Sequence, residues 1–175
     1  MDPRSPGLQA LVQQLERSRA LEGCTCQQLA NITWGCSKLG LVEGPLLSCL
    51  AGHIASAAAR MNPQELTMCS WSLATCGLEP PLQAFSAVLA ESQRKATQLS
   101  ARQLATVAWA AAKVGVWEER LERCLASHLG RVMKEMAPRD LANVGWAFSK
   151  MEARDEGVLR LLEDSVEQRL LGRGR

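Results

Sequence analysis

The sequence predicts an all-α protein: an α-solenoid of about four 37–38-residue helical hairpins preceded by an N-terminal helix, in one domain spanning residues 1–175. Three observations carry that expectation. Four of the five Trp stand at Trp34, Trp71, Trp109 and Trp146, spaced by 37, 38 and 37 residues, and one large residue at a fixed period marks a repeated supersecondary unit. Leu29, Leu66, Leu104 and Leu141 share a second column at the same offset before each Trp. The patterned segments all have helical period, and hairpins that cannot bury both faces alone must stack on their neighbours. With 47% hydrophobic and 22% charged residues the chain can build a core and does not read as disordered.

Taken in order, Leu8, Leu11, Val12 and Leu15 give an amphipathic N-terminal helix over 8–22. The repeats then run over about 24–60, 61–98, 99–135 and 136–171. Each opens with a helix of about 14 residues. Thr25, Asn62 and Ser100 stand at its N-cap with Gln28, Glu65 and Gln103 three residues on, the capping-box spacing. Pro63 and Pro138 take the first helical position, where no N–H is needed. Gly40, Gly77 and Gly115 suit a C-terminal residue with positive φ. The fourth unit departs at both ends, with Ala137 at the cap and Glu152 in the Gly column. A second helix follows in each unit, marked at i, i+4, i+8 by Leu46, Leu50 and Ile54, then Leu82, Phe85 and Leu89, then Leu121, Leu125 and Leu129, then Leu162, Val166 and Leu170.

A helical wheel at roughly 100° per residue divides the first helix into three faces. Leu29, Ile32, Cys36 and Leu39 point to the hairpin partner, and Ala30, Trp34, Ser37 and Leu41 form a stripe suited to close packing on the next repeat. The remaining polar sector is the candidate ligand face. Its outer columns are Gln27, Gln64, Arg102 and Arg139, and Lys38, Thr75, Lys113 and Lys150. These eight positions sum to +5 without an acid, while the whole chain carries +2, so the other positions sum to −3. Cations spaced by a repeat are what tracking a phosphate backbone requires. Between them lie Asn31, Met68, Thr106 and Asn143, where an amide or hydroxyl can bond a base edge and Met can pack against one.

Structural readings stand beside these. A Lys in the last turn complements the helix dipole without any ligand, Gln28 and Glu65 read as capping residues, and Asn31 and Asn143 equally suit a hydrogen-bonded ladder between first helices. The Trp column reads as a repeated packing contact rather than a base-stacking surface, and Trp117, outside it, as a candidate exposed contact or a staple at a helix start.

Other chemistry is sparse. Seven Cys with no secretory signal argue against a disulfide framework. Cys24 and Cys26 are one residue apart, short of metal-site spacing, and Cys36, Cys69 and Cys76 occupy hydrophobic columns. His53 and His128 recur 19 residues after their Trp, a repeated structural position. No Gly-rich phosphate loop, zinc-protease helix or nucleophile elbow occurs, so the expectation is no enzyme, cofactor or metal. No apolar run reaches the roughly 20 residues that span a membrane. Asp2, Glu16 and Glu22 argue against an uncleaved organellar transit peptide.

The segments QQLANITWGCSKLGL, RQLATVAWAAAKVGV and RDLANVGWAFSKM resemble the octotricopeptide repeat and the similar heptatricopeptide repeat over nearly the whole chain. The second unit has Thr67 and Met68 where the others have Ala and Asn or Thr, and only Pro80 and Pro81, with Trp117 nearby, echo the Pro-Pro-Pro-Glu-Trp element of octotricopeptide repeats, which favours the heptatricopeptide type. The resemblance implies a helical-hairpin solenoid that binds organellar RNA, in a mitochondrion or alternatively a plastid. The expected partner is single-stranded or ribosomal RNA, with neighbouring proteins of a ribonucleoprotein complex. The competing expectation is a protein-interaction scaffold within such a complex.

Overall fold

The computed structural model describes residues 6–17, 21–41, 45–76, 81–153 and 155–171, and of residues 8, 11, 16, 17, 170 and 171 the backbone alone. Among these the chain is all-helical, without a strand. The nine α-helices are α1 (Pro6–Arg17), α2 (Cys26–Leu39), α3 (Pro45–Ala57), α4 (Pro63–Thr75), α5 (Leu82–Arg94), α6 (Ala101–Val114), α7 (Glu119–Val132), α8 (Pro138–Lys150) and α9 (Glu156–Leu171). The N-terminal helix is described to Arg17, residues 18–20 of the expected span lie outside the described residues, and residues 22–23 form a turn.

The capping chemistry accounts for where the first helices begin. Thr25 Oγ1 accepts from the Gln28 N–H at 3.2 Å while Gln28 Oε1 accepts from the Thr25 N–H at 2.9 Å. Asn62 with Glu65 and Ser100 with Gln103 form the same reciprocal pair. At the fourth site Ala137 offers no oxygen, and only the returning half remains, the Ala137 N–H donating to Asp140 Oδ2 at 3.3 Å. Gly40 and Gly115 end their helices at φ +70° and +80°. The next N–H then reaches back five residues, from Leu41 to the Cys36 carbonyl at 2.8 Å and from Val116 to Ala111 at 3.0 Å. Glu152 adopts the same conformation at φ +50°, and Ala153 bonds the Phe148 carbonyl at 3.0 Å. Helix α8 therefore keeps the terminal motif with a residue that is sterically strained there. Gly77 and Pro80 lie outside the described residues.

The chain divides into two compact units, Met1–Ser92 and Gln93–Arg175. In the first, α1 packs on α3, and α2 on both α3 and α4. Leu29, Leu46, Leu50, Ile54, Leu66, Leu73 and Phe85 are buried there. In the second, α6 packs on α7 and α8, and α9 on α7 and α8, around Leu104, Leu121, Leu125, Leu129, Val144 and Phe148. Burying each such side chain contributes about 1.5–3 kcal/mol. Ala108, Ala110, Ala111 and Ala112 of α6 are fully covered, so the neighbouring helix approaches close to its backbone.

Two expected inward residues face solvent instead. Leu82 is 54% exposed because it is the first residue of α5, whose buried face is Ala84, Phe85, Val88 and Leu89. Val166 is 47% exposed, and in α9 Val158 is buried while Leu161 Cδ1 comes within 3.5 Å of the place a Cβ would occupy at Gly130.

Short 3-10 turns join the hairpins: Ala58–Arg60, Ala96–Gln98 and Met133–Glu135. Each is followed by one buried anchor, Met61, Leu99 or Met136, and then by the N-cap of the next helix. In the second unit the Arg131 guanidinium donates to the Thr97 carbonyl at 3.0 Å, and that of Arg169 to the Met136 carbonyl, so an arginine near the end of a second helix secures the preceding turn.

Candidate nucleic-acid interface

Side chains at i, i+4, i+7 and i+11 return to within about 60° of one another on an α-helix. In the second unit this places Arg102, Thr106, Trp109 and Lys113 in one stripe along α6, and Arg139, Asn143, Trp146 and Lys150 in another along α8, which packs beside it. In the first unit the corresponding stripes are Gln27, Asn31, Trp34 and Lys38 on α2, and Gln64, Met68, Trp71 and Thr75 on α4.

Gln27, Asn31, Lys38, Gln64, Arg102, Lys113, Arg139 and Lys150 are exposed, and Met68, Thr106 and Asn143 half-buried. The second unit holds four of the five cations. Among the described residues none of Arg102, Lys113, Arg139 and Lys150 forms an ion pair, whereas Arg123 pairs with Glu119 and Arg160 with Glu156. The surface therefore presents an arginine pair at one end and a lysine pair at the other.

The indoles combine contact across repeats with partial exposure. They share the stripe of the cations, because Trp34 is only about 20° from Gln27 around the wheel. Trp34 and Trp146 are 44% and 43% exposed, Trp71 and Trp109 half-buried. They do meet across repeats: the Trp109 and Trp146 rings are 6.3 Å apart and tilted by 36°. Each Lys of the column lies against an indole. Lys113 Nζ is 5.0 Å from the Trp109 centroid, Lys150 Nζ 5.0 Å from that of Trp146, and Lys38 Nζ 4.5 Å from Trp71 and 5.8 Å from Trp34. Such contacts contribute about 0.5–1 kcal/mol at exposed sites. Lys150 Nζ also donates to the Lys113 carbonyl at 3.4 Å, at the end of α6 where the dipole favours a cation.

The middle column is less free to read bases than its residue types suggest. The Thr106 hydroxyl donates to the Arg102 carbonyl at 2.8 Å, leaving it only as an acceptor. Among the described residues Asn31 and Asn143 form no ladder. Between α2 and α4 a polar link is Ser37 Oγ with Thr75 Oγ1 at 2.5 Å, and Thr75 also donates within α4. Trp117 is not an exposed contact: its ring stands edge-on to Phe148 at 5.2 Å and its Nε1 donates to Glu122 at 3.2 Å, which is the staple.

The remaining candidates stay structural. Cys36, Cys69 and Cys76 are buried, and burial raises all three thiols, Cys69 to about 12 and Cys76 to about 11. His128 Nδ1 lies 2.7 Å from the Cys124 carbonyl. Among the described residues no three His, Cys, Asp or Glu converge on a metal-sized space, and no helix is long and apolar enough to cross a membrane. A groove of about 1040 Å³ runs between α8 and α9, lined by Pro138, Leu141, Leu162 and Val166 with Glu163 and Glu167.

No family model matches the chain, and no curated protein matches it.

Proposed function

We propose that the chain is a non-catalytic RNA-binding protein whose four hairpins and N-terminal helix form an α-solenoid. It acts in organellar RNA metabolism, or as an RNA-contacting subunit of a mitochondrial ribosome-like assembly, with a plastid as the alternative compartment. The observation that carries this reading is the exposed set Arg102, Lys113, Arg139 and Lys150 on two adjacent helices, without an acid in either stripe and without an ion-pair partner among the described residues. Phosphates supply that missing counter-charge. The likeness of the repeat segments to octotricopeptide and heptatricopeptide repeats supports the same reading.

The test is titration of a random single-stranded RNA pool with the native protein and with each of the four cations changed to Glu. Native binding that each reversal weakens supports the proposal. Native binding that is absent, or indifferent to the reversals, removes it.

A second reading, a protein-interaction scaffold in an organellar complex, is favoured by the groove between α8 and α9 and the exposed Val166 within it. On this reading Val166→Glu abolishes capture of a helical partner, and the RNA titration is flat.

A further inference from the structure

We infer that the indole pair Trp109 and Trp146 is a base-stacking platform, so that the second unit prefers unpaired, purine-containing single strands to bare phosphate charge; this rests on the RNA-binding reading above.

Three features of the surface support it. The rings lie midway along the two charged stripes, between the arginine pair and the lysine pair, where a strand held at both ends by its phosphates presents its bases. Trp146 remains 43% exposed, while its neighbour Phe148 is 1% and Leu141 5% exposed, so α8 has buried positions that its largest side chain does not occupy. The ring spacing of 6.3 Å is also wider than the roughly 3.4 Å between stacked bases. A strand lying across both indoles cannot keep its own stacking there, and its bases must splay, one to each ring. A duplex cannot do this.

The lysines do not prevent it. Lys113 and Lys150 each stand 5.0 Å from a ring centroid, a contact worth about 2- to 5-fold in an equilibrium. Stacking a base on an aromatic side chain is worth about 5- to 150-fold. A phosphate that draws the ammonium off the ring keeps the charge paired and uncovers the ring for the base. The pair therefore serves as a placeholder: the cation occupies the aromatic face until a nucleotide offers a phosphate to one group and a base to the other.

The experiment measures binding of fluorescein-labelled single-stranded rA12, rU12 and an abasic 12-mer of the same charge. The proteins are the native chain and its Trp146→Leu and Trp146→Phe variants. The expected result is rA12 tighter than rU12 and both tighter than the abasic strand. Trp146→Leu should weaken rA12 by about 5- to 150-fold and leave the abasic strand unchanged, while Trp146→Phe retains most of the affinity. If Trp146→Leu weakens rA12 and the abasic strand equally, the ring serves packing and the inference is overturned. If the native protein holds all three strands equally, the inference fails while RNA binding by charge stands, and that comparison needs no variant to fold. If no strand binds the native protein, the RNA-binding reading fails and takes the platform with it.

Discussion

Binding of single-stranded RNA to this chain should weaken steeply with salt, at a slope set by the cations of the second unit. Arg102, Lys113, Arg139 and Lys150 are exposed and carry four charges on two adjacent helices. If each neutralises one phosphate, log K falls against log salt with a slope of about −2.8, and affinity drops by about 50-fold between about 50 and about 200 mM. The double variant Lys113→Gln, Lys150→Gln should bring the slope to about −1.4 and the same drop to about 7-fold. Two other contributions can be separated from this. Loss of the Lys–Trp contacts and of the Lys150 bond to the Lys113 carbonyl lowers stability, which shows in the melting temperature and leaves the slope alone. A lysine that acts only on the helix dipole likewise changes melting and not slope. The assay is fluorescence anisotropy over a salt series with one labelled 12-mer, beside thermal melts of each protein. A native slope near zero, or a slope the double variant leaves unchanged, refutes the assignment of these cations to phosphate contacts.

Three further outcomes follow from the helix ends and the core. Glu152→Gly removes a non-glycine residue at φ +50°; set against the entropy of the added glycine, it should stabilise by about 0.5–1 kcal/mol, raising the melting temperature by a few degrees, and no rise would mean the turn is unstrained. Ala137→Ser completes the capping pair whose Asp140 half is already present and should add about 0.5–1 kcal/mol; the two gains should add, since the sites lie at opposite ends of α8. Stability should fall as pH rises above about 9, because Cys69 and Cys76 stay protonated in the fold until about 12 and about 11 but ionise near 9 when unfolded. Each adds about 1.4 kcal/mol per pH unit to the loss between those limits, and Cys69→Ala should remove its share in denaturant melts across pH 7–11.

Much of the helical framework was legible in residues whose local chemistry has one solution. Thr25, Asn62 and Ser100 with their partners three positions on, Pro63 and Pro138, and Gly40 and Gly115 fix helix ends by bonds made within a few residues. The exposure of Leu82 and Val166 was not legible, because periodicity states which residues share a face and not how far the covering neighbour extends. Nor was the fate of the tryptophans. A large aromatic recurring at one position reads equally as packing or as surface, and Trp34 sits near the boundary of two sectors on the wheel. The 3-10 turns are not legible because nothing in AAR, ATQ and MKE distinguishes them from a fraying helix end. The backbone bonds of Arg131 and Arg169 had no pattern that a charge count could find.

Those turns decide where the chain tolerates change in length. From the first residue of each turn to the first residue of the next helix the count is always five, at Ala58 to Pro63, Ala96 to Ala101 and Met133 to Pro138. The connections inside the hairpins vary, being five, six, four and five residues long. One residue added to such a connection raises its entropic cost of closure only slightly. One residue added to a turn rotates the following helix by about 100°, carrying its Trp off the stripe it shares with the other polar residues of that face while its core residues seek new partners. The turns act as a gear of fixed tooth number, and the hairpin loops as slack. A designer grafting loops, tags or extra repeats onto this chain should cut at the loops and copy the turns unchanged.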